Sequence, residues 1–87
     1  MDKSKRDEHV MALKLVAMNV GQLLYKDGII DINVRTSFAD TNACLPSVFM
    51  RAETFFAYFE DYHFTQSGDY AYTVEDGVQF YTDEVRQ

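Results

Sequence analysis

The chain has 87 residues, 47% of them hydrophobic and 25% charged, with a formal net charge of −6. That composition argues against disorder, and no apolar run approaches the roughly 18–20 residues that a membrane-spanning helix needs. A domain this small buries only about 60–65% of the surface its unfolded chain exposes, so every large side chain counts.

No linker-like or repeated segment divides the chain, and residues 1–87 read as a single domain. The N-terminus lacks the apolar block and cleavage site of a secretory signal. One cysteine, Cys44, cannot form an internal disulfide. The expected location is therefore the cytoplasm.

The first predicted element is a helix from about Ser4 to Lys26. Ser4 with Asp7 resembles a capping box, and Gly28 supplies a stop. At about 100° per residue, Val10, Leu13, Val16, Ala17, Val20, Leu23 and Leu24 form its core face. Met11, Leu15, Met18 and Tyr25 interleave with polar residues on the other face. A row of large apolar groups there predicts cover, either by a second layer of the same domain or by another chain such as a second copy.

Ile30, Ile32, Val34 and Phe38 alternate with Asp31, Asn33, Arg35 and Ser37, the pattern of a half-buried strand. Residues 39–45 read as a loop. Pro46 or Ser47 then opens a second predicted helix, running to about Tyr62. Its core stripe is Val48, Phe49, Ala52, Phe55, Phe56 and Phe59. Residues 65–69 read as a turn. Tyr70, Tyr72 and Val74, then Val78 and Phe80, form a hairpin around Glu75-Asp76-Gly77, where glycine supplies positive φ. The expected fold is α+β, in the order α-β-α-β-β. It has about three antiparallel strands with two helices on one face.

Chemistry-bearing residues are few. His9 and His63 lack the spacing of a helical metal motif, and no paired-cysteine motif is present. His63 reads as a cation at the end of the second helix, and Cys44 as a small buried hydrophobe. The four glycines are isolated, so no phosphate loop exists. No catalytic residue, metal ligand or cofactor is expected, and the chain reads as a non-enzymatic protein.

Charge is the better lead. Residues 39–87 carry nine acids against Arg51 and Arg86, a net −7, whereas residues 1–38 sum to +1. Such a chain is repelled by nucleic acid and by anionic membranes. Acids beside exposed tyrosines suit a basic protein surface instead. The expected contact residues are Tyr58, Glu60, Asp61 and Tyr62 on the second helix, with Glu75, Asp76 and Tyr81 from the hairpin. The sharpest form of this reading is an inhibitor of a nucleic-acid-processing or defence enzyme, with carboxylates standing where phosphates would lie. Phage and mobile-element inhibitors share this size and charge, as a class and without a shared motif. The alternative is a homo-oligomeric assembly subunit joined through Met11, Leu15, Met18 and Tyr25.

Overall fold

The computed structural model describes residues 2–19 and 28–85. Two helices and five strands follow in the order α1 (Lys3–Met18), β1 (Ile29–Thr36), β2 (Cys44–Met50), α2 (Ala52–Phe59), β3 (Thr65–Ser67), β4 (Tyr70–Glu75) and β5 (Val78–Thr82). The strands form one sheet in the order β1-β2-β5-β4-β3. Neighbours are antiparallel except β2 and β5, which run parallel. The α+β class holds. The three-strand antiparallel sheet is corrected to a mixed sheet of five.

Asp2 caps α1, its carboxylate accepting from the Ser4 N–H at 2.9 Å. The cap thus lies two residues before the expected Ser4. Val10, Leu13 and Ala17 are buried along the expected face. The helix stops at Met18 rather than Lys26, because Asn19 turns to an extended conformation and its N–H closes onto Leu15 and Val16 carbonyls. Val20, Leu23, Leu24 and Tyr25 lie outside the described residues.

The largest correction concerns residues 44–50. They form a strand, not the end of a loop followed by the start of a helix. Val48 and Met50 are buried under the helices, while Phe49 between them stacks on Tyr81 across the sheet. That is period-two alternation. Pro46 pairs with Val34, and Ser47 is a fully buried strand residue rather than a cap. The second helix begins only at Ala52, after Arg51, and is two turns long. Thr65–Ser67, expected as a turn, is a short edge strand.

The core lies between the two helices and one face of the sheet. Phe55 and Phe59 of α2 meet Phe80 of β5, Val48 and Met50 of β2, and Leu13 of α1. The 75–78 turn matches expectation. Asp76 and Gly77 both take positive φ, 51° and 78°, which suits a two-residue type I′ hairpin.

Phe38 departs from the predicted strand pattern. It lies beyond β1 and folds over the sheet face that the helices leave open, against Tyr70, Tyr72 and Tyr81. Gln79 holds that loop down. Its Oε1 accepts from the Phe38 N–H at 2.9 Å, and its Nε2 donates to Ser47 Oγ at 3.2 Å. The central strand β5 is thereby buried on both faces.

Candidate binding surfaces

The expected contact residues divide among three places. Asp61 and Tyr62, just past α2, are engaged by the first turn of α1. Arg6 is almost fully buried there. Its guanidinium donates to both Asp61 oxygens, at 2.7 and 3.0 Å, and to Asp7 at 2.7 Å. The Tyr62 ring lies 5.1 Å from the same guanidinium. Lys3 adds a looser contact to Asp61 at 3.4 Å. The bonded Arg6 holds the Asp61 carboxyl down at about 2. Burial, with the Asp7 charge second, pushes the Tyr62 phenol up. These two residues stabilise the fold before they meet any partner.

Tyr58 is corrected. It is 2% exposed, and its hydroxyl meets His9 Nδ1. Burial raises its pKa. Tyr81 lies on the predicted face but is only 3% exposed, because Phe38 and Phe49 pack against it. Both tyrosines are covered by residues distant in sequence, Tyr58 by His9 of α1 and Tyr81 by Phe38 and Phe49. Arg35 completes the open-face cluster. Its guanidinium lies 4.9 Å from the Phe38 ring and 5.0 Å from the Tyr81 ring, and its hydrogen bond to the Tyr81 hydroxyl raises its own pKa.

Glu60 is exposed at the C-terminal end of α2. Glu75 and Asp76 sit at the hairpin turn, where Lys14 of α1 reaches the Asp76 carboxylate at 2.7 Å. Met11, Leu15 and Met18 are about half exposed, at 53%, 55% and 49%, in the row expected for them. Cys44 is exposed on β2, not buried, and His63 lies beyond the end of α2 rather than in its last turn.

Sequence reasoning missed a groove of about 720 Å³ at the start of α2. Glu53, Asp69, Asp83 and Glu84 line it, with Phe56 and Arg51. The backbone brings them together: the Val85 N–H donates to Asp69 O at 3.1 Å, tying the segment after β5 to the β3–β4 turn. The four carboxylates come from three separate segments, so local spacing carried no signal of the groove. Arg51 approaches one of them, Glu84, at 3.9 Å.

Internal pairing uses the described cations unevenly. Lys3, Arg6, Lys14 and Arg51 each meet a carboxylate. Arg6 and Lys14 are largely covered while Lys3 and Arg51 stay exposed, and the net surface field follows the surplus of acids. Among the described residues, no group of histidine, cysteine and carboxylate side chains could hold a metal ion. No described helix is long and apolar enough to cross a membrane.

No family model matches this sequence, no curated protein matches it, and no solved structure matches its fold.

Proposed function

We propose that this chain is a non-enzymatic protein-binding module that engages a basic segment of another protein through the groove at the start of α2. The observation that carries this reading is the groove's lining. Four acidic residues line it together with one aromatic ring, and the Arg51 guanidinium lies 3.9 Å from Glu84. An arginine or lysine side chain entering it would meet carboxylates at its charged end and Phe56 along its stem. Glu60, Glu75 and Asp76 extend the negative field beyond the groove and would steer approach. In its sharpest form, the partner is a nucleic-acid-processing or defence enzyme whose phosphate-binding surface accepts these carboxylates.

The test is capture from the source cell with the parent protein and with a Glu53→Lys/Asp83→Lys variant as bait, at low and high salt. A partner held by the parent, lost from the variant and released by salt supports the groove. Competition by DNA or RNA for that partner supports the inhibitor form. A partner that binds both baits alike, whatever the salt, overturns the reading.

A second reading rests on the half-exposed Met11, Leu15 and Met18. In it, that face of α1 joins copies of the chain into an assembly, and Met18→Lys would dissociate them.

A further inference from the structure

β1 ends the sheet order and pairs only with β2. Among the described residues, no strand covers its outer side. The phase of its backbone can be read from one bond. The Ser37 N–H donates to Ala43 O at 2.8 Å, in register with the Thr36–Cys44 pair. Antiparallel pairs alternate between bonded and non-bonded. Arg35, Asn33 and Asp31 therefore direct their backbone groups to β2, and Ile32, Val34 and Thr36 direct theirs outward.

Exposed edges are commonly blunted by lysine, proline, short length or an inward charge. β1 is eight residues long and contains neither lysine nor proline, and its one register shift, between Ile29 and Asp31, lies at its N-terminal end. Val34 on it is 68% exposed, the highest value among the exposed large apolar residues, and Ile30 is 41% exposed.

We propose that β1 pairs antiparallel with β1 of a second copy, about a two-fold axis at Asn33, joining the two sheets into one. In this register Asn33 faces its own counterpart, and Ile32 faces Val34 of the second copy. Both of those apolar residues carry outward backbone groups, so they exchange N–H···O bonds. Asp31 then faces Arg35 of the second copy, and the symmetry makes this charge pair twice. These pairs fall at non-bonded positions, where opposing side chains lie closest. Moving the axis to Ile32 or Val34 keeps the backbone phase but sets Arg35 opposite Ile29 or Asn33. The charge pair selects Asn33.

Asp31 is exposed on the open face of the sheet, accepting from Asn33 Nδ2 at 2.8 Å. Arg35 shares that face but lies inward across β2, over the Phe38 and Tyr81 rings, so in this pairing it turns from the Tyr81 hydroxyl toward the edge. On the opposite face, Val34 would lose its exposure against Ile32 of the second copy. This inference is independent of the groove and uses a different surface from the α1 row.

Sedimentation equilibrium on the full chain at tens of micromolar tests it. The parent should be a dimer. Val34→Pro removes an outward N–H that β2 does not use, so it should give a monomer with the parent's circular dichroism. Asp31→Arg, at an exposed site, sets arginine against arginine twice and should weaken the dimer roughly tenfold. Mixing it with an Arg35→Asp chain should restore association. If Val34→Pro fails to fold, Asp31→Arg and its rescue decide the matter. Asn33→Cys in a Cys44→Ser background should form an intermolecular disulfide across the axis. A monomeric parent overturns the proposal, as does a dimer that Met18→Lys splits and Asp31→Arg leaves intact.

Discussion

Arg6 and Asp61 meet as a two-pronged pair, Nη1 on Oδ1 at 2.7 Å and Nη2 on Oδ2 at 3.0 Å. This joins the first turn of α1 to the segment after α2, two places far apart in sequence. The planar guanidinium matches the carboxylate in a way lysine could not. Arg6 also donates to the Tyr58 carbonyl, so one buried side chain satisfies acceptors that end the second helix.

Arg6→Ala should lower the melting temperature by several degrees, because it strips the donor from a buried carbonyl and leaves Asp61 without its main partner. Lys3→Ala should change it little. The Lys3 side chain is 74% exposed and its contact to Asp61 is long. Thermal unfolding of the two variants beside the parent checks the contrast.

Acid should act through the same pair. Asp61 is held at about 2, below its ordinary value near 4, mainly by the Arg6 bond. A carboxylate depressed in the folded state stabilises fully above its unfolded pKa. That contribution is lost as pH falls through the folded value. Stability of the parent should therefore decline from roughly pH 4 to pH 2. Asp61→Asn should start lower and lose less over this range, which unfolding curves at stepped pH would show.

Gly28 should resist substitution more than its place in a turn suggests. Its φ is +87°, and a Cβ there would stand 1.9 Å from Thr54 Oγ1 and 2.8 Å from Thr54 Cβ. Its carbonyl also accepts from the Arg51 N–H at 2.9 Å, fastening the start of β1 to the start of α2. Gly28→Ala should cost about 1–3 kcal/mol from backbone strain alone, and the clash adds to it. Thr54→Ala should recover only part of the loss. A double-mutant cycle in urea separates the two contributions.

The hairpin was legible because Asp76-Gly77 permits two positive φ angles in a row between alternating strands. The inner face of α1 was legible because Val10, Leu13 and Ala17 keep helical spacing. β2 was not. Val48, Phe49, Ala52, Phe55, Phe56 and Phe59 fit one helical stripe, and a short apolar run satisfies either period. Only the neighbours decide it: Val48 lies between Ile32 and Phe80, which come from distant parts of the chain. The same holds for the groove and for Arg6, whose partners Tyr58 and Asp61 are more than fifty positions away. The acidic bias could be read directly, but where it gathers could not.

The parallel pairing of β2 with β5 has a consequence for how the protein is made. β5 is the last of the five described strands, yet it stands at the centre of the sheet. Among the described strands it is the one whose backbone pairing joins the β1–β2 hairpin to the β3–β4 hairpin. During synthesis both hairpins can emerge and close, but they stay strangers until Val78–Thr82 is released. A nascent chain halted before that strand would present two raw sheet edges and the unburied rings of α2 together, a surface that invites chaperones or aggregation. Completion of this sheet therefore waits for the last of its five strands.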